Sequence, residues 1–207
     1  MSVSNLSNSY QTFYSSTIRE KAVFDIIGVG GIPANVETHL AKHTFMVTMN
    51  FRAPASRHNK WSIDTHFHFK LFRKWYLSLC TTVLGRHIHK KISKQPFCSA
   101  HFDVSGTRKH EEELQIQNPH IHAMLLLHPH TLDAFESNLN QRRIKQPPNT
   151  LVRDIHIQKV ADLDAYKTAS SYCSKFDARN SKCHNNFWQC YPDDHTLKYP
   201  FYARHFN

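Results

Sequence analysis

The sequence has no long apolar run. The longest, Ala123 to Leu127, falls far short of the roughly 20 residues that span a bilayer, so no membrane is expected as a partner. The opening stretch, MSVSNLSNSYQTFYSSTIRE, lacks a basic n-region followed by an apolar h-region, so no signal peptide is expected. Cysteine is present 5 times, an odd count without a framework spacing. These residues read as reduced thiols in a cytosolic compartment. GVGGIP is not a dinucleotide fingerprint, because no third glycine opens a helix. There is no internal repeat, and no low-complexity tract beyond the Ser/Asn-rich N-terminus. Acidic residues are few: 16 Asp and Glu stand against 26 Lys and Arg, a net charge of +10. A chain of pI near 9.5 attracts polyanions, and nucleic acid is the commonest one in the cytosol.

What remains is a foldable chain. It has 207 residues, 40% of them hydrophobic and 12% aromatic, which excludes wholesale disorder. That length suits one domain with extensions and needs no disulfide. Residues 1–43 lack clear periodicity, contain a Gly-Gly-Ile-Pro turn, and read as an N-terminal extension, mobile at its start. Thr44 to Phe51, TFMVTMNF, reads as a buried strand. Ile63, Phe67, Leu71, Trp75, Leu79 and Val83 then form one apolar stripe, a helix that Gly85 ends. Phe97 to Val104 alternates: Cys98, Ala100, Phe102 and Val104 face one way, and Ser99, His101 and Asp103 the other. His120 to Leu127 is a second strand, making a hairpin with an enlarged tip. A helix from Leu132, capped by Thr131, a strand over 151–160 and a helix over 162–176 follow. Residues 181–207 read as a C-terminal extension on or next to the domain. The expected fold is α+β, a ferredoxin-like central antiparallel sheet with helices packed on one face, over 44–180.

Four His-X-His triplets occur: 66/68, 87/89, 120/122 and 128/130. Two histidines two apart share a face on a strand but not on a helix. His66 and His68 fall in the strong helix and read as structural. His87 and His89 lie in a basic stretch, a solvated surface or a phosphate contact. Pro129 interrupts the last pair. Only His120 and His122 sit on a strand with both rings on one side, so they are the candidate metal ligands. A carboxylate would complete a three-ligand face with open positions for substrate. Asp103, on the polar face of the paired strand, is the first candidate. His101, Glu111, Glu112 and Glu113 are alternatives, and the glutamates also read as a solvated charge run. A zinc site from Cys173, Cys183, His184 and Cys190 matches no defensible spacing. Tyr172 and Lys175, three apart late in the last helix, share a helix face. Alone that pattern is commonplace; beside a metal pair on a basic domain it becomes a candidate nucleophile and its charge partner.

TFMVTMNF, NPHIHAMLLL and YCSK, in that order, resemble the three motifs of the HUH endonucleases, and most of all those of single-tyrosine rolling-circle replication initiators. Asp103-Val104-Ser105 ahead of Pro119-His120-Ile121-His122 is similar to the acid-hydrophobic-Thr and Pro-His-X-His strands of plasmid initiators. The likeness spans about Thr44 to Phe176. It departs in an Asp where Glu is usual and in a longer loop before His120. The chain is also too short to hold the helicase domain that some viral initiators carry. The resemblance implies metal-dependent nicking and rejoining of single-stranded origin DNA through a 5′-phosphotyrosine. Tyr172 would be the nucleophile, Lys175 its charge stabiliser, and His120, His122 and Asp103 the ligands of Mg²⁺ or Mn²⁺. A phenol, of reference pKa about 10, needs such help at neutral pH. It further implies a plasmid or virus setting, a host-cell cytoplasm, and a separate host helicase and polymerase. A relaxase or transposase of the same superfamily, and a non-catalytic nucleic-acid-binding module, are the alternative readings.

Overall fold

The computed structural model describes residues 3–31, 35–52, 65–105, 117–179 and 188–192. In chain order these form α1 (Val3–Gly28), α2 (Val36–His43), β1 (Thr44–Phe51), α3 (Thr65–Leu84), β2 (Phe97–Ser105) and β3 (Gln117–Leu126). Then come α4 (Leu132–Asn140), β4 (Val152–Lys159), α5 (Leu163–Arg179) and β5 (Trp188–Tyr191). The fold is α+β, built on a five-stranded sheet of order β4-β1-β3-β2-β5. Every pairing in it is antiparallel.

Strand alternation divides the sheet into two unlike faces. Phe45, Val47, Met49 and Phe51 point one way, with Cys98, Ala100, Phe102, Ile121, Ala123 and Leu125 beside them. This apolar face is sealed by α3, through Phe69, Phe72, Trp75, Tyr76 and Leu79, and by Phe135 of α4. Each such side chain contributes about 1.5–3 kcal/mol on burial. The polar ends are satisfied: Trp75 Nε1 donates to the Ile144 carbonyl at 2.8 Å, and Tyr76 Oη to that of Pro96 at 2.7 Å. Gly85, at φ 73°, ends α3 in the left-handed conformation that glycine adopts without strain.

The second face corrects the expectation of helices on one side. Its Phe97, Met124 and Leu126 are covered by Ile18, Ala22 and Ile26 of α1, Leu40 of α2, and Tyr166, Ala169 and Cys173 of α5. Residues 1–43 are therefore no mere extension. The described part is largely helical, and it buries a second core. Within it lies an ion pair, Lys21 with Asp25, both side chains 1% exposed. Of residues 181–207 the described ones, 188–192, lie on the domain. β5 pairs with β2, and Tyr191 is buried against Phe72 and Tyr76. A four-residue strand is too short to show an alternating pattern, so only its pairing reveals it. No helix among the described residues is long and apolar enough to cross a membrane.

Candidate metal centre

The α1–α2–α5 layer covers only part of the second face. Toward the far end of β2 and the start of β3 the same side of the sheet turns polar. Asp103 lies opposite His120 and His101 opposite His122, so their side chains share this face. Across β1 the next positions are Thr48, opposite His122, and Asn50, opposite His120.

The entry to β3 is shaped by its sequence. The β2–β3 register shifts between Asp103 and Ser105, and Asn118 sits at φ 51°. Asn tolerates that left-handed geometry better than most residues. Pro119 follows at the irregularity, where a missing backbone donor costs least. The result turns the Asn118 carbonyl back onto the strand, where it meets His120 Nδ1 at 2.8 Å. That contact favours a proton on Nδ1 and leaves the Nε2 lone pair available. His120 Nε2 lies 3.7 Å from Asp103 Oδ2.

His122 is held in a similar way. Its Nδ1 is 3.0 Å from Thr48 Oγ1. The tautomer that donates from Nδ1 to the threonine leaves the lone pair on Nε2. That nitrogen is buried and has no hydrogen-bond partner. An unsatisfied buried nitrogen costs about 1–3 kcal/mol, which a bound ion would offset. Burial, followed by the neighbouring His120 and His101, pushes the His122 pKa down to about 3. The ring is therefore neutral at physiological pH, the form that ligates metals. One ligand atom each from Asp103, His120 and His122 lies within 4.8 Å of the others. Two imidazoles and a carboxylate on one face suit a divalent cation with positions left for oxygen ligands. The donor set and the orphaned nitrogen fit such an ion.

Tyr172 completes the arrangement from α5. Asp162 Oδ1 caps the helix by accepting from Ala165 N at 2.7 Å. Tyr166, Ala169 and Cys173 then face the core while Tyr172 stays 38% exposed. Its ring meets His122 edge to face, with centroids 4.7 Å apart. Lys175 is in the same helix, but its side chain lies outside the described residues.

The remaining candidates separate. His101 is 1% exposed, and its Nε2 is hydrogen-bonded to Ser99 Oγ at 2.8 Å; it is not in the ligand cluster. Glu111, Glu112, Glu113, Cys183 and His184 lie outside the described residues. Cys173 is packed in the α1–α5 core and Cys190 is half-buried on β5. His68 packs against Phe51 and Phe102, the structural role its helix position implies. Thr48 and Asn118 escaped the sequence reading. A polar residue at alternate positions of the otherwise apolar β1 was the signal for Thr48. No protein-family model, curated protein or solved structure matches the chain.

Proposed function

We propose that the protein is an endonuclease of the HUH type that nicks and rejoins single-stranded DNA at a replication origin. The observation that carries the reading is the juxtaposition of Tyr172 with the Asp103–His120–His122 donor set. The net charge of +10 supports a polyanionic substrate. Asp103, His120 and His122 would hold Mg²⁺ or Mn²⁺, the carboxylate suiting a hard ion and the imidazoles tilting preference toward Mn²⁺. Bound there, the ion supplies positive charge for the non-bridging oxygens of a scissile phosphate.

The chain's own groups do the rest. Tyr172 Oη attacks phosphorus as the bond to the 3′-oxygen breaks. The phenol proton passes to solvent, and the 3′-oxygen leaves as a hydroxyl. The 5′-phosphotyrosine keeps the bond energy, so a 3′-hydroxyl can later reseal the strand. Lys175 would stabilise the phenolate or phosphate charge. A plasmid or viral replicon, a host-cell cytoplasm, and a separate helicase and polymerase complete the reading.

Tyr166, 4% exposed in the α1–α5 core, is not available as a second nucleophile. The test is covalent capture. Single-stranded oligonucleotides tiling the DNA that flanks the gene are incubated with protein and Mn²⁺, then run on a denaturing gel. A shifted band is expected for the parent and for Tyr166→Phe, and none for Tyr172→Phe. DNA binding without an adduct from any oligonucleotide would instead favour a non-catalytic binding module.

A further inference from the structure

The face opposite the metal centre carries an unusual charge distribution. Between Asp64 and Asp103 the sequence contains no Asp or Glu. Lys70, Arg73 and Lys74 are exposed on the outer side of α3. Arg86, Lys90, Lys91 and Lys94 are exposed just beyond its C-terminal end, in two short 3-10 turns and their flanks. Those turns are fixed to the helix: Ile88 packs on the same core, and Lys91 Nζ donates to the Leu84 carbonyl. Among the described residues no carboxylate forms an ion pair with Lys70, Lys74, Arg86, Lys90 or Lys94. By contrast Lys159 pairs with Glu136, and Lys167 with Asp164.

We infer that this cationic surface is a docking site for the phosphate backbone of duplex DNA, separate from the metal centre. Lys70 to Leu84 spans roughly 20 Å of helix at 1.5 Å per residue. A duplex presents a phosphate about every 1.7 Å along its axis, so cation clusters near the start of α3 and beyond its end meet several at once. Single-stranded DNA is held by stacking on exposed aromatic rings as well as by a cationic groove. Phe72, Trp75 and Tyr76 are buried, which leaves Phe67, His87 and His89 as exposed rings beside these cations. The surface thus offers more cations for phosphates than rings for stacking bases. It would anchor the protein on duplex beside a single-stranded site, without reading sequence. This deepens the nucleic-acid reading above, yet its test needs neither metal nor nicking.

The test is fluorescence anisotropy of the full chain with a blunt random-sequence duplex, in EDTA, over a range of salt. The variant is Lys70→Gln/Lys74→Gln/Arg86→Gln/Lys90→Gln. A charge-matched control is Lys42→Gln/Arg142→Gln/Arg143→Gln/Lys167→Gln, at exposed positions elsewhere. At about 0.9 per phosphate contact, the surface variant should flatten the log–log salt slope by about 3 to 4. Its duplex affinity should fall at least tenfold, while the control keeps most of the slope. Its affinity for a single-stranded oligonucleotide, and its adduct yield, should be unchanged. Equal losses in both variants would mean diffuse charge only and overturn the proposal. So would a loss confined to single-stranded DNA, or no loss at all. Selective duplex loss in a protein that never forms an adduct would support the surface while refuting the nuclease reading.

Discussion

Asp103 and His120 face each other across β2 and β3, and so do His101 and His122, two residues along the same strands. This two-residue difference in position decides which side chain joins the candidate donor set. His101 is turned inward onto Ser99, whereas Asp103 stands at the partly exposed edge with its oxygen toward His120. In a Mn²⁺ titration followed by electron paramagnetic resonance, Asp103→Ala and His120→Ala should each weaken binding more than about 100-fold. Loss of a ligand should exceed the roughly 10–100-fold typical of outer partners. Thr48→Val, which removes the oxygen that orients His122, should fall within that smaller range, and Thr48→Ser should restore most of it. His101→Ala should leave Mn²⁺ affinity within a few-fold of the parent. Equal weakening by His101→Ala and Asp103→Ala would show that the buried ring is a ligand. The grouping of Asp103, His120 and His122 was legible in the sequence because strand residues alternate with a period of two. For Thr48 the alternation of β1 marks only the face; its contact with His122 joins residues 74 apart and depends on the strand register.

At the scale of elements, legibility followed periodicity. α3 has apolar residues at helical spacing and a glycine stop, and β1 lies where its sequence places it. α1 was hidden, although Ile18, Ala22 and Ile26 recur every four residues. Serines and asparagines, weak helix formers, crowd its first half. Its buried face is also interrupted by Lys21 and Asp25, which a hydrophobicity reading assigns to solvent. Burial pushes the Lys21 pKa down and raises that of Asp25 to about 6, each opposed by the partner's charge. Such a pair adds little net stability, yet removing one member strands the other. Asp25→Ala should therefore cost about 3–5 kcal/mol in urea unfolding. The double change Lys21→Met/Asp25→Leu, which fills the space with apolar atoms, should cost much less or stabilise. A double variant as unstable as the single one would mean that the pair itself holds α1 in place.

Across the whole molecule, one face of the sheet is closed by a continuous apolar core, and the other is divided between a helical layer and a polar end that carries the candidate metal site. The helical layer places histidines where charge is costly. Burial, then His43, Lys21 and Lys42, pushes His39 down to about 4. Burial, then Lys21, His130, Lys94 and His39, pushes His128 down to about 3. His43 is lowered too, mainly by burial, although its contact with the His39 carbonyl and the charge of Glu136 oppose the shift. Unfolded histidine takes up its proton near pH 6.5, while these folded rings resist until far lower. Their contribution to stability is therefore complete above about pH 6.5 and is lost as pH falls toward 4 and then 3. Asp25 acts in the opposite sense. Its folded carboxyl binds a proton from about pH 6, before an unfolded one would, so it gives back part of the loss. With His122, four lowered histidines outweigh one raised carboxyl, so unfolding near pH 5 should take up on the order of two to three protons net. The slope of urea unfolding free energy against pH between 6.5 and 4.5 measures that number. His39→Gln and His128→Gln should each reduce it by about one proton, without altering Mn²⁺ affinity at neutral pH. A slope near zero in the parent would mean that these rings are protonated or solvated in the folded chain, and that the helical layer is looser than its packing indicates.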